Sequence, residues 1–165
     1  MRLALPPSMV EVGEVAPDFT LPNEKNEDVT LSKEIGGGPI VLSWYVLDFT
    51  NVCTGQACDF RDEMKDLAAL GAKVFGISTD SPASHRVFKA TNNLPYPLLS
   101  DWGGHVSERY GVLYETFGKL KRVSKRAVFV VDKKGVVQFK WVTENAGVPP
   151  DVKAVAAEAR RLSSP

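Results

Sequence analysis

The chain contains two cysteines, Cys53 and Cys58, and they are the residues with the clearest capacity for chemistry. Two cysteines in 165 residues are too few for a disulfide scaffold, and in a reducing compartment a close pair is more often redox-active or metal-binding. Cys53 is predicted at the start of a helix that directly follows a buried strand. A helix N-terminus carries about half a positive charge, which favours a thiolate. Cys53 is therefore the candidate nucleophile.

The spacing of the two cysteines predicts a conformational change if they bond to each other. In a continuous helix, five residues rise about 7.5 Å, which places the two Cα atoms roughly 8–9 Å apart. A disulfide requires a Cα separation below about 7 Å. A Cys53–Cys58 disulfide would therefore require the first turns to unwind, giving a helix in the reduced state and a locally melted segment in the oxidised state.

Three other interpretations of the pair compete with a redox role. A structural disulfide closing so short a loop contributes only about 2 kcal/mol, and it would break the start of a helix. A metal site would need His85 and His105, which lie far in sequence from the pair and from each other. Both residues could also be ordinary core cysteines. That last alternative is weaker for Cys53, because α/β sheets place their sites where a strand passes into a helix.

Three short apolar segments are predicted as strands buried on both faces of a sheet, at residues 39–46, 72–78 and 127–131. A helix is predicted between the first two, from about residue 52 to residue 70, with Gly71 as its stop. Its apolar stripe consists of Ala57, Phe60, Met64, Leu67 and Ala68. This strand–helix–strand unit implies parallel pairing with a right-handed crossover.

The remaining elements complete an α/β fold with a central mixed β-sheet flanked by helices. Ser81 and Pro82 open a second helix as its cap and first residue. Its inward stripe is predicted to be Ser84, Val87, Phe88 and Thr91, and both histidines are expected at the surface of helices. Residues 132–135 form a turn into an alternating, half-buried antiparallel strand at 137–141. Asp151 caps a last helix.

Charge and composition exclude several classes of partner. The chain has 20 Lys and Arg against 20 Asp and Glu, so the net charge is zero. This balance argues against nucleic acid or an anionic membrane as a partner. The sequence contains no apolar run of membrane-spanning length, and residues 1–7 lack the apolar stretch of a signal peptide. A cytoplasmic location is therefore expected, and 165 residues favour a single domain.

The segment around the cysteines has the sequence DFTNVCTGQACDFRD, at residues 48–62. Three further segments are APDFTL at residues 16–21, LPYPLLSD at 94–101 and RAVFVVD at 126–132. Together and in this order, the four segments resemble the peroxiredoxin family, most closely its bacterioferritin comigratory protein-like (Q-type) branch. The resemblance spans roughly residues 12–142. It is far more specific than a lone pair of cysteines five residues apart.

The resemblance implies a single thioredoxin-like peroxiredoxin domain over residues 1–165, acting as a peroxidase without metal, haem or another cofactor. Its substrates would be hydrogen peroxide and organic hydroperoxides. By matching position, Cys53 would be the peroxidatic cysteine, and Cys58 the resolving cysteine of the atypical two-cysteine type. Thr50 would hydrogen-bond the attacking sulfur and the peroxide, and Arg126 would pair with the thiolate and the peroxide oxygens. Thioredoxin or a similar dithiol would reduce the disulfide, and the protein would be a monomer or weak homodimer.

The chemistry of peroxide reduction agrees with these assignments. Displacement at an O–O bond needs a thiolate, a positive group near the departing oxygen and a donor that aligns the peroxide. The sulfenic acid product can be captured by a nearby thiol, and Cys58 is the only other thiol in the chain. Arg126 could also belong to a solvated basic run, and Thr50 could cap the helix. Gln56 could order the first turn or be an exposed helix residue.

One position departs from the family pattern. The family has a proline four residues before the threonine, where this chain has Val46. Valine carries a backbone N–H that needs a partner, which affects the geometry of the pocket. The departure supports an alternative function, a thiol–disulfide oxidoreductase or redox sensor of thioredoxin-like fold with little peroxidase activity. A third alternative is a thioredoxin-like binding module with inert thiols.

Overall fold

The computed structural model describes residues 10–163, and a five-stranded mixed sheet lies at their centre. The expectation that residues 1–7 contain no signal peptide lies outside the described residues. In chain order, the strands are β1 (Thr20–Pro22), β2 (Asp28–Thr30), β3 (Ile40–Trp44), β4 (Lys73–Ser78), β5 (Leu98–Ser100), β6 (Leu113–Phe117), β7 (Leu120–Ser124), β8 (Arg126–Val131) and β9 (Val137–Thr143). The helices are α1 (Leu31–Glu34), α2 (Asn51–Ala69), α3 (Pro82–Asn92), α4 (His105–Arg109) and α5 (Val152–Ser163).

The sheet has the order β5-β4-β3-β8-β9. The strands β3, β4 and β5 are parallel, while β8 runs antiparallel to β3 and β9 antiparallel to β8. β3 and β8 are buried along their whole length because helices cover both faces. The predicted mixed sheet, its parallel β3–α2–β4 unit and its antiparallel hairpin are confirmed.

Two apolar cores lie on the two faces of the sheet. The alternation of side chains along β3 divides it between them, with Val41 facing α2 and α5, and Leu42 and Trp44 facing the other side. Helices α2, α3 and α5 cover the first face, and the N-terminal segment, α1 and α4 cover the second. Within residues 10–163, no helix is long and apolar enough to cross a bilayer.

The ends of the central helices follow the predicted signals. Gly71, just beyond the C-cap of α2, adopts φ +76°, a left-handed conformation that glycine takes without strain. The Ser81 hydroxyl accepts a hydrogen bond from the Ser84 backbone N–H at 3.2 Å and so caps α3. The predicted stripe of α3 is wrong at Val87, which is 56% exposed, and at Thr91, which is also exposed. The inward face is formed by His85 and Phe88.

Two small antiparallel hairpins, β1–β2 and β6–β7, were not among the predicted elements. The second turns at Gly118, which has φ +60°, and β7 contains Lys121 and Arg122 of the basic run that precedes β8. The hairpin carries Phe117 and Leu120 next to its turn, both partly exposed to solvent. Its position gives the site described below an apolar wall.

Candidate active site

The register of the sheet brings Arg126 to Cys53 although 73 residues separate them in sequence. Trp44, the last residue of β3, pairs with Ala127 in β8, so Arg126 lies beside the carboxyl end of β3. Cys53 lies in the first turn of α2, which begins after the loop that leaves this end of β3. Arg126 Nη1 donates to Cys53 Sγ at 3.3 Å. The structure thus places the predicted nucleophile and its predicted cation in direct contact.

Arg126 is buried and held from three directions. Its Nε and Nη2 donate to the Ala146 carbonyl oxygen at 3.1 and 2.7 Å, and Nη1 donates to Gln56 Oε1 at 2.9 Å. Among the described residues, no carboxylate forms a salt bridge with it. A buried guanidinium is stable only when an anion or strong acceptors compensate its charge. Carbonyl and amide oxygens provide such acceptors here, and the positive charge of Arg126 faces the Cys53 sulfur.

Gln56 is a functional residue whose role the sequence left undecided between a helix-ordering and an exposed position. It is buried, and its Nε2 donates to the Ser43 hydroxyl at 2.8 Å and to the Trp44 carbonyl at 3.1 Å. With its amide oxygen accepting from Arg126, Gln56 links β3 to the guanidinium. Its spacing of three residues from Cys53, which places both on one face of the helix, is the signal that could have identified it.

Thr50 occupies the N-cap position of α2, but its side chain makes no capping hydrogen bond. Its hydroxyl instead donates to the Leu47 carbonyl oxygen at 3.0 Å, within the loop before the helix. Thr50 and Cys53 line the same pocket. The hydroxyl's hydrogen bond thus goes to Leu47, and the predicted contact of Thr50 with the Cys53 sulfur is not among the hydrogen bonds of the described residues.

The pocket above Cys53 has a volume of about 420 Å³ and a largely apolar lining. Val46, at the position of the family proline, is buried and forms part of the wall. The hairpin side chains Phe117 and Leu120 form another part. The complete lining is Val46, Leu47, Thr50, Asn51, Val52, Cys53, Phe117, Leu120, Arg126, Ala146 and Gly147. Such a pocket suits a molecule with a polar reacting end and an apolar remainder.

Cys58 lies one turn further along α2 and is partly exposed. Both cysteines are free thiols, and α2 is continuous through them. Directly around Cys58 the helix is fastened to its neighbours. The Tyr96 hydroxyl donates to the Ala57 carbonyl at 2.7 Å, and Arg61 Nη1 donates to the Asn92 carbonyl at 2.9 Å. The structure therefore has the reduced, helical form that the sequence predicted for this segment.

A second group of titratable side chains lies beneath the loop before α2. Asp48, Asp80 and His85 place their ligand-type atoms within 4.8 Å of one another, an arrangement that could hold a metal ion. Asp48 Oδ2 and His85 Nδ1 contact each other, and Asp48 Oδ1 accepts from the Tyr45 hydroxyl. Asp80 Oδ2 accepts from the Asp48 backbone N–H. The expectation that His85 is a surface residue is wrong, because it is fully buried, whereas His105 is exposed. Burial and the Asp48 charge raise the pKa of Asp80.

Comparisons with known proteins identify the family of the chain. The AhpC/TSA family matches residues 12–140. A Coxiella burnetii protein named as a bcp peroxiredoxin is 41% identical over 134 residues, which cover 80% of this chain and 88% of that protein. The chloroplastic peroxiredoxin Q of Triticum aestivum is 45% identical over 130 residues, 79% of this chain but only 58% of that protein.

Solved structures show the same fold. Peroxidoxin BcpB from Mycobacterium tuberculosis matches with a TM-score of 0.80 at 34% identity, covering 93% of this chain and 96% of that one. The Xanthomonas campestris bacterioferritin comigratory protein, described with alkyl peroxide reduction activity, matches with a TM-score of 0.79 at 25% identity, covering 94% and 98%. The predicted thioredoxin-like fold is thereby confirmed. The chain belongs to the AhpC/TSA family and, within it, is a peroxiredoxin similar to the bacterioferritin comigratory and Q-type proteins.

Proposed function

We propose that the protein is a thiol peroxidase that reduces hydroperoxides with Cys53 as its nucleophile. The observation that carries this proposal is the 3.3 Å contact between Arg126 Nη1 and Cys53 Sγ at the pocket. The thiolate attacks one peroxide oxygen, an S–O bond forms, and the O–O bond breaks. The departing alkoxide or hydroxide takes up a proton and leaves as alcohol or water. The sulfur becomes a sulfenic acid and the peroxide is reduced by two electrons.

Arg126 and Thr50 supply the remaining groups that this displacement needs. The guanidinium, fixed by Gln56 and Ala146, stabilises the negative charge that moves from sulfur to the departing oxygen. Because its hydrogen bonds hold it in place before substrate binds, little reorganisation is needed during the reaction. The Thr50 hydroxyl orients the peroxide for in-line attack.

Cys58 resolves the sulfenic acid in the proposed cycle. Its sulfur attacks the Cys53 sulfur, a disulfide forms and water leaves. Because five residues of intact helix hold the cysteines too far apart to bond, the first turn of α2 must unwind for this step. A dithiol reductant, which we propose to be thioredoxin or a similar protein, then returns two electrons and releases both thiols.

The apolar lining of the pocket supports organic hydroperoxides as substrates alongside hydrogen peroxide. Phe117 and Leu120 offer an apolar surface to an alkyl or aryl group whose hydroperoxide end lies at Cys53. We also propose that the protein works in the reducing cytoplasm as a monomer or weak homodimer. A reducing compartment returns both cysteines to the thiol state from which the cycle starts.

Stopped-flow measurement of peroxide consumption by the reduced protein tests the proposal. Wild-type protein should react far faster than free cysteine, and Cys53→Ser should not react. Cys58→Ser should react once at the wild-type rate and then stall, with a sulfenic acid on Cys53 that mass spectrometry detects after one equivalent of peroxide. A wild-type rate no faster than free cysteine would leave a thiol–disulfide oxidoreductase or redox sensor as the function. Undiminished cycling of Cys58→Ser with thioredoxin would show that another thiol resolves.

A further inference from the structure

A buried polar network fastens the loop between β3 and α2 to the rest of the protein. Asp48 lies in this loop, and its carboxylate accepts hydrogen bonds from the Tyr45 hydroxyl at 2.6 Å and the Ser84 hydroxyl at 2.9 Å. It also contacts Nδ1 of the fully buried His85 at 2.8 Å. The Asp48 backbone N–H donates to Asp80 Oδ2 at 2.8 Å. Both the main chain and the side chain of Asp48 are therefore fixed.

His85 ties Asp48 to the central sheet. Its Nε2 donates to the Leu99 carbonyl oxygen in β5 at 3.0 Å, because a carbonyl oxygen only accepts. Its Nδ1 and Asp48 Oδ2 form a buried hydrogen bond of 2.8 Å. Removing one partner of such a buried pair leaves the other without its hydrogen bond, which destabilises the local structure.

The loop that this pair holds contains a strained residue next to the catalytic threonine. Phe49 has φ +65°, a left-handed backbone conformation that a bulky residue adopts only when its surroundings enforce it. Asp48 precedes Phe49 and is anchored as described. Thr50 follows it, occupies the N-cap position of α2 and lines the pocket with Cys53. Any relaxation of Phe49 would therefore move Thr50 and the first turn of α2.

We propose that Asp48 and His85 are positioning residues that hold the strained loop and keep the start of α2 in the peroxide-reducing conformation. The inference rests on the proposed function of Cys53. This hydrogen-bonded pair acts through Phe49 on Thr50 and on the first helical turn, and touches neither substrate nor the reacting sulfur. It therefore sets the balance between the helical state that reduces peroxide and the unwound state that forms the disulfide.

A shift between the helical and the unwound state of the first turn should change the two steps of the cycle in opposite directions, which a general loss of stability would not do. Peroxide reduction requires Thr50, Cys53 and Arg126 in place, whereas disulfide formation requires the first turn to unwind. Loss of the Asp48–His85 hydrogen bond should therefore slow peroxide reduction and accelerate disulfide formation. It should also reduce over-oxidation to sulfinic acid, because a sulfenic acid that is captured sooner meets a second peroxide less often.

The test compares Asp48→Ala with Glu24→Ala as a matched control. Glu24 is 6% exposed and Asp48 is 7% exposed. Like Asp48, Glu24 contacts a side chain of α3, that of Lys89 at 2.6 Å, and its carboxylate accepts a second hydrogen bond, from the Leu98 backbone N–H at 3.2 Å. Its loop does not lead into α2. The two variants thus lose the same kind of buried carboxylate from the same helix neighbourhood, but only one loses the anchor of the catalytic loop.

Rapid quench with mass spectrometry, after one equivalent of hydrogen peroxide, gives the rate constants for sulfenic acid formation and for disulfide formation. For Asp48→Ala we expect the first to fall roughly tenfold or more, the second to rise several-fold, and the sulfinic acid yield at excess peroxide to fall. For Glu24→Ala both rate constants should stay within about twofold of wild type. Loss of this carboxylate should lower the stability of the fold without moving the residues around Cys53. Circular dichroism confirms folding of each variant.

Tyr45→Phe provides a milder second variant that keeps the ring packed in the core and removes only one donor to Asp48. It should shift the two rate constants in the same opposite directions by a smaller factor, and it decides the matter if Asp48→Ala does not fold. Unchanged rate constants, or a fall of both by the same factor, would overturn the inference while leaving the peroxidase intact. Failure of the proposed function would appear differently, as a wild-type protein that forms no sulfenic acid faster than free cysteine.

Discussion

Replacement of Arg126 by methionine tests the central electrostatic argument, because it removes the guanidinium while keeping a side chain of similar length. A unit charge 3.3 Å from the sulfur is worth about 5 kcal/mol at an effective dielectric constant near 20, before the cost of desolvation. Hydrogen bonds to charged groups contribute about 1.5–3 kcal/mol net. If the transition state loses about 1.5–3 kcal/mol of stabilisation, the second-order rate constant for the reaction with peroxide should fall roughly 10- to 150-fold.

The assay is stopped-flow reaction of reduced protein with hydrogen peroxide at fixed pH, in a Cys58→Ser background so that only Cys53 reacts. Arg122→Met is the control, since Arg122 pairs at the surface with Glu108 and Glu115, and its loss should change the rate less than about twofold. Alkylation of Cys53 by iodoacetamide should slow in Arg126→Met as well, because less thiolate is present. A folded Arg126→Met protein that reacts within roughly threefold of wild type would refute the reasoning.

Three further predictions concern stability, specificity and the oxidised state. Because the raised pKa of Asp80 means that the folded protein binds its proton more tightly, this contribution to stability is present near pH 4 and is lost as pH rises. In urea titrations, Asp80→Asn should therefore gain stability relative to wild type between about pH 4 and 7, and a parallel pH dependence would contradict this. Phe117→Ala should lower the rate with cumene hydroperoxide about fivefold and leave the rate with hydrogen peroxide, the internal control, unchanged. Equal losses of rate with both substrates would contradict an apolar subsite. On oxidation, amide hydrogen exchange should accelerate in residues 51–56 and stay slow in residues 60–69, whereas uniform protection along α2 would exclude unwinding.

The central elements could be predicted from sequence because their signals are local. The apolar runs of β3, β4 and β8 and the capping residues Ser81 and Gly71 specify strands and helix ends through their own neighbours. Cys53 followed from the same reasoning, as a thiol at a strand-to-helix junction. The strand pattern alone could not identify Arg126 as the catalytic cation, because several other basic residues precede the same buried strand. The family resemblance selected it, and the pairing of β3 with β8 explains why it reaches the sulfur.

The polar interior could not be predicted in the same way. His85 and Gln56 are buried because partners far away in sequence satisfy their hydrogen bonds, Asp48 for one and Arg126 for the other. A pattern based on apolar residues places polar side chains at the surface and apolar ones in the core. It therefore assigned His85 to the surface of α3 and Val87 to its inward face, the reverse of what the structure has. The β6–β7 hairpin was missed for a related reason, since its many charges resemble a solvated loop while its apolar residues serve the pocket.

The hydrogen bonds of Tyr96 to the Ala57 carbonyl and of Arg61 to Asn92 divide α2 into two parts with different freedom. Upstream of Ala57, the turn that holds Cys53 is attached through the preceding loop, the Arg126 guanidinium and the side chain of Gln56. From Ala57 onward, the helix is hydrogen-bonded to α3 and to the segment before β5. During each catalytic cycle the nucleophilic sulfur must therefore travel while its partner stays almost stationary. A reducing protein would therefore contact a short unwound segment that lies over the fixed remainder of α2. The central sheet would keep the same structure in the reduced and the oxidised protein.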